Sequence, residues 1–237
     1  VNRLVFPAHP LLAFVVAAAV WPTAARAHLP HDYASALASG TTFGAGGPAF
    51  AIVIVDGSID GLGWWPYESS DNAVNWAPMT RPPTHSEFAA LAAWGDVPVI
   101  ATGDGQVWWL EQEVWVQAAA PARGVTSMDG GANRLAISSG EGVFVAESPS
   151  GPWTLVSAEP SVEVIFDEQD DQLFAVRTRE GELLLGEGTT ARLQPAAAQA
   201  PLSVALANGD LYAGFEGGVQ SLRRGESFRW ATRRSAP

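Results

Sequence analysis

The chain has no cysteine and no lysine. Without cysteine there are no disulfides and no thiolate metal sites. Without lysine, all thirteen basic residues are arginine, against 25 acidic ones, which leaves a formal charge of −12. A balance of that sign offers no basic patch for nucleic acid or anionic lipid, because too few counterions could be released on binding. Long apolar runs are also scarce. The longest, Leu11 to Trp21, spans eleven residues, too few to cross about 30 Å of hydrocarbon as a helix. Beyond it, no window carries an apolar i, i+3, i+4, i+7 stripe ten or more residues long; helix is confined to short pieces, such as one within 84–93.

The eleven-residue run reads as an address. Arg3 is the only charge before it, Pro10 and Pro22 bracket it, and Ala25-Arg26-Ala27 puts small residues where a signal peptidase reads. We expect residues 1–27 to be a signal peptide and residues 28–237 to be one mature, exported domain, periplasmic or extracellular, with no stable membrane span. Loss of Arg3 and Arg26 takes the charge from −12 to −14.

What is abundant is glycine (24) and tryptophan (10), the composition of a turn-rich folded protein. The tryptophans recur. From Trp76, steps of 39 and 38 residues reach Trp115 and Trp153, and a further 77, two periods, reaches Trp230. Each period divides into three or four short runs rich in Val, Phe and Trp, bounded by Gly, Asp, Asn or Ser, which is strand-and-hairpin chemistry. Five such units follow one another, opening near Tyr33, Phe88, Val125, Val162 and Leu202. Four-stranded units of about 38 residues, repeated, predict an all-β fold, a β-propeller of about five blades. Residues 31–48 would supply the first unit's innermost strand. The ring would close at five blades, or the chain would be part of a longer propeller, or a second chain would complete it.

Ser69-x-Asp71-x-Ala73-x-Asn75-Trp76 resembles the Asp-box of sialidase-like (BNR-repeat) propellers, Ser-x-Asp-x-Gly-x-Thr-Trp. Ser69, Asp71 and Trp76 match; Ala73 stands for glycine and Asn75 for threonine. Ser148-Pro149-Ser150-Gly151-Pro152-Trp153 looks like a shortened copy without the aspartate. The resemblance implies a propeller and a structural role for the box. Physically, a short carboxylate such as Asp71 can accept N–H groups of its own turn, giving Trp76 a rigid turn to pack beneath. Trp115, Trp153 and Trp230 are the corresponding blade-core tryptophans.

Four further features could carry chemistry. Trp64-Trp65 and Trp108-Trp109 lie on corresponding runs of adjacent units, so one indole of each pair can fill the space between blades while the other forms a stacking platform for a sugar or peptide. Asp56, Ser58 and Asp60 have the spacing of the first half of a calcium loop, with Gly61 at the sixth place. The twelfth place is Tyr67, however, and Asp-Gly also suits a plain hairpin, so no metal or other cofactor is assigned and calcium stays the second reading. His28, His31 and Asp32 could meet copper or zinc, but only His85 follows them. Asp167-Glu168-Gln169-Asp170-Asp171 reads as a solvated turn.

Catalysis by a sialidase would need an arginine cluster and a tyrosine nucleophile; the arginines are scattered, and only Tyr33, Tyr67 and Tyr212 are available. The first expectation is therefore a non-catalytic binding or assembly scaffold for an unknown protein or glycan. The alternative is a sialidase-like or other glycan-cleaving hydrolase.

Overall fold

Hairpin turns cut the chain into short antiparallel strands. The computed structural model describes residues 33–39, 51–56, 63–70, 75–167, 169–193, 200–216, 218–222 and 231–233. The signal segment 1–27 lies outside these residues, and among the described ones no helix is long and apolar enough to cross a membrane. Five sheets of four strands each are built from consecutive strands. The first holds β1 (Tyr33–Ser39), β2 (Ala51–Asp56), β3 (Trp64–Ser69) and β4 (Ala77–Pro78). The second holds β5 (Phe88–Trp94), β6 (Val97–Thr102), β7 (Gln106–Glu111) and β8 (Val114–Ala119). The third holds β9 (Val125–Gly130), β10 (Leu135–Ser139), β11 (Gly142–Ala146) and β12 (Thr154–Ser157). The fourth holds β13 (Ser161–Phe166), β14 (Leu173–Thr178), β15 (Leu183–Glu187) and β16 (Thr190–Leu193). The fifth holds β17 (Ser203–Ala207), β18 (Asp210–Phe215), β19 (Gly218–Leu222) and β20 (Ala231–Arg233). Each of the five expected units is one such sheet, or blade, and Tyr33–Ser39 is indeed the first strand.

The strands are nearly continuous in apolar residues because each blade buries both faces. On β5 to β7, alternation sends Ala90, Ala92, Val99, Ala101 and Val107 against Val125, Met128, Leu135 and Ile137 of the third blade. Leu91, Ile100, Trp108 and Trp115 go the other way, onto Trp64 and Met79 of the first. Ala136, Val143 and Val145 meet Val164, Phe166 and Phe174 at the next junction. Leu173 and Ala175 meet Val204, Leu206 and Leu211 at the last of the four. The first strands of successive blades pack in series, β1 on β5, β5 on β9, β9 on β13 and β13 on β17.

The acidic run is not the uniformly solvated turn expected from its composition. Asp167 is only 2% exposed. Its Oδ2 accepts the N–H of Gly209 in the β17–β18 turn at 2.6 Å, and its Oδ1 accepts the N–H of Gln169 at 2.9 Å. Gly209 follows Asn208, and both have positive φ (77° and 54°), the Asn-Gly hairpin turn that matches strand twist. A carboxylate thus pins the fifth blade's turn to the end of the fourth blade's first strand. Asp129 Oδ2 does the same one junction earlier, accepting the N–H of Phe166 at 2.7 Å. Buried Arg134 reaches across that junction and donates to Gly188 O at 2.7 Å. Asp167→Ala should cost about 2–3 kcal/mol in denaturant melts, since the Gly209 N–H would be left buried without its charged acceptor. Asp167→Asn, which retains an acceptor oxygen, should lose less.

Candidate binding surface

The Asp-box-like segment 69–76 links the third and fourth strands of its blade. Ser69 ends β3 and is buried, Trp76 immediately precedes β4 and is half-buried, and Asp71 lies outside the described residues. The shortened copy occupies the corresponding connection of the third blade, between β11 and β12. There Ser148 Oγ donates to Gly151 O at 3.1 Å, and the Gly151 N–H donates to Ser148 O at 3.0 Å. The turn is held by its own short polar groups, as a structural device would be.

The periodic tryptophans all fall at the start of a fourth strand: Trp76 and Trp153 one residue before β4 and β12, Trp115 second in β8, and Trp230 (outside the described residues) one before β20. Their burial differs from the uniform burial expected. Trp115 is 9% exposed and donates to Thr80 O at 2.6 Å, whereas Trp76 and Trp153 are half-buried.

The paired tryptophans do not form one platform. Alternation along the strand separates them. Trp64 and Trp108 meet in the core between blades one and two. Trp65 turns to the opposite face and donates to Met79 O at 3.0 Å. Trp64 donates to Ser86 O at 3.0 Å, tilts against Phe88, and carries the Arg81 guanidinium over its ring at 4.5 Å. Trp109 faces the third blade, where it packs with Trp94 and Trp153 on the shared core.

That third grouping was missed in the sequence because Trp94 belongs to no tryptophan pair or period. Its signal was the alternation Ala90, Ala92, Trp94 on one strand. Outside these three indoles, Val114 on β8 is 63% exposed and Leu155 on β12 is 50% exposed. By register, Val114 stands opposite Glu111, two residues beyond Trp109. Leu155 stands opposite Phe144, which pairs with core residue Ile137. Both side chains therefore face the junction of blades two and three. The blades pack closely at β5 and β9 and more loosely at β8 and β12, which leaves an apolar, aromatic groove between their outer strands. At its rim, Gln112 and Glu113 form the β7–β8 turn with φ of 49° and 65° and no glycine, a conformation disfavoured for such residues.

Groups suited to catalysis are engaged elsewhere. Arg81 lies over Trp64, Arg134 donates to backbone carbonyls, and Arg177 Nε pairs with Glu163 at 2.8 Å. Arg81 and Arg134 sit at two different junctions, and Arg177 is paired within blade four. Of the calcium loop, Asp56 ends β2 while Ser58 and Asp60 lie outside the described residues. Among the described residues no three His, Asp or Glu side chains cluster to hold an ion. In the Thr102–Gly105 turn, the hydroxyl of Thr102 donates to Asp104 at 2.7 Å and holds its carboxyl below the ordinary aspartate range.

No family model matches the chain, and no curated protein matches it. Solved structures do. PorZ, a bacterial surface component of the type-IX secretion system of Porphyromonas gingivalis, aligns with a TM-score of 0.58 at 15% identity, over 78% of this chain and 25% of its own. YCF48 bound to D1 peptide aligns with a TM-score of 0.59 at 11% identity, over 82% and 66%. Apo AztD from Citrobacter koseri aligns with a TM-score of 0.52 at 14% identity, over 79% and 57%. The fold is a β-propeller. The chain spans from a quarter to about two thirds of the length of these propeller structures.

Proposed function

We propose that this β-propeller is exported and serves, without catalysis, as a binding or assembly scaffold for a partner protein or glycan. The observation that carries the reading is the division of labour among side chains. Arg81 lies over Trp64 at the first junction, Arg134 bonds across the third, and Arg177 pairs with Glu163 inside blade four, three separate places and not one arginine cluster. The surface left for recognition is the aromatic groove between blades two and three. Known uses of the fold agree in kind, since PorZ is a surface component of a secretion system and YCF48 has been solved with a peptide bound. The leader-like segment 1–27 supports export.

The hydrolase reading keeps one observation in its favour, an Asp-box-like motif in the third-to-fourth-strand connection. Purified protein incubated with fluorogenic sialosides and β-glycosides separates the two. Release at the rate of the blank is expected, and turnover abolished by an arginine substitution would establish the hydrolase. Export is checked by N-terminal sequencing of secreted material, which should begin at His28; recovery of the intact apolar segment from membranes would mean an anchor.

A further inference from the structure

We propose that the groove between the outer strands of blades two and three takes a cationic side chain, Arg or Lys flanked by apolar residues, from an extended partner peptide. This inference rests on the scaffold reading and names its partner's chemistry. The groove is bordered by β8 and β12, the outermost strands of their blades, a shape that suits an extended chain lying alongside them.

Its surface chemistry selects a cation. Trp94 and Trp153 are half-buried, and their indole N–H groups are buried with no acceptor within reach. What these rings present outward is carbon and π-density. A sugar laid there would find no indole donor from them for its hydroxyls, whereas a guanidinium or ammonium is drawn to the ring faces. The rim is acidic: Glu111 shares a strand face with Trp109 and Glu113 forms the β7–β8 turn, both exposed. Between residues 88 and 157 the arginines are Arg123, in the β8–β9 connection, and buried Arg134, which is committed to the next junction. Neither neutralises this rim.

The neighbouring junction shows the same recognition made within the chain. There Arg81 lies over Trp64, an indole that likewise faces the following blade, 4.5 Å from the ring centroid. Among the described residues no cation lies over Trp94, Trp109 or Trp153. A partner would therefore supply at the second junction what Arg81 supplies at the first. Val114 and Leu155 would cover apolar side chains two residues from the cation, on the same face of the extended chain.

The test uses full-length protein and two blocked heptapeptides, Leu-Ser-Arg-Ser-Arg-Ser-Leu, with its Leu and Arg on one face when extended, and its citrulline twin, which retains shape and removes charge. Tryptophan fluorescence titration should show the arginine peptide binding about tenfold or more tightly, the sum of cation–ring and surface-charge terms. The double variant Val114→Arg/Leu155→Arg, at sites already exposed, should weaken it by about tenfold, and the double neutralisation Glu111→Gln/Glu113→Gln by a similar factor. Leu202→Arg, 69% exposed on another blade, should change nothing. No saturable binding, equal binding of the citrulline twin, or equal loss from Leu202→Arg would overturn the groove assignment. Mass spectrometry of the recovered peptide keeps the two readings apart. Cleaved peptide would overturn the non-catalytic reading, whereas intact peptide insensitive to the groove variants would overturn this inference alone.

Discussion

Trp115→Ala should destabilise the protein by about 3–5 kcal/mol, the range for truncating a large buried aromatic. Trp115 is second in β8 and packs with Trp64, Met79, Leu91, Ile100 and Trp108 in the core between blades one and two. Its indole also donates to Thr80 O at 2.6 Å, in the segment that leads from β4 to β5. Truncation therefore opens a cavity and frees a carbonyl of the inter-blade connection, and the two losses act on the same junction. Trp153→Ala should cost less, about 1–3 kcal/mol, because Trp153 is half-buried and its N–H makes no hydrogen bond. Denaturant melts of the two variants decide the matter. Equal losses would mean that the two positions carry equivalent core roles, and a loss below about 1 kcal/mol for Trp115→Ala would remove it from the core.

The contrast shows how far the repeat could be read. Strand positions were legible because runs such as 97–101 and 107–110 are β-rich and are separated by the turn Gly103-Asp104-Gly105. Fixed spacing then put Trp76, Trp115 and Trp153 at the start of the fourth strand in their blades. Burial was not legible from that spacing. It depends on what packs against each indole, and at the first junction that includes an acceptor for Trp115, Thr80 O, and an arginine over Trp64, Arg81. Strand alternation already put one indole of each pair between blades, as Trp64 and Trp108 are, but the surroundings of Trp65 and Trp109 could not be read from it. The aromatic groove is bordered instead by Trp94, Trp109 and Trp153, which pack against one core shared by blades two and three. Asp167 was hidden in the same way. Five consecutive polar residues look solvated until the Gly209 N–H of the fifth blade arrives at its carboxylate.

Gly130→Ala should cost about 3 kcal/mol or more and should broaden the unfolding transition. Gly130 ends β9, and its φ is not in the left-handed region, so backbone conformation does not demand glycine there. Space does. A Cβ at this position would lie 1.9 Å from Ala93 O and 2.8 Å from Ala93 C on β5, with Leu135 Cδ2 at 3.1 Å. The first two atoms are backbone and cannot swing aside, so the cost belongs at or above the upper end for overpacking. Relief requires β5 and β9 to separate. That would stretch the bond from the Gly95 N–H to Gly131 O, 2.9 Å long, which zips the β5–β6 turn to the β9–β10 loop. Because the first strands of the blades pack in series, a weakened second junction divides the chain into two groups of blades that melt less cooperatively. Gly103→Ala is the control: its nearest new contact, Glu87 O, is at an ordinary 3.7 Å, and its φ is not left-handed. It should change stability by no more than about 0.5 kcal/mol. A Gly130→Ala protein that melts at the wild-type midpoint with an unchanged slope would show that blades two and three do not approach this closely.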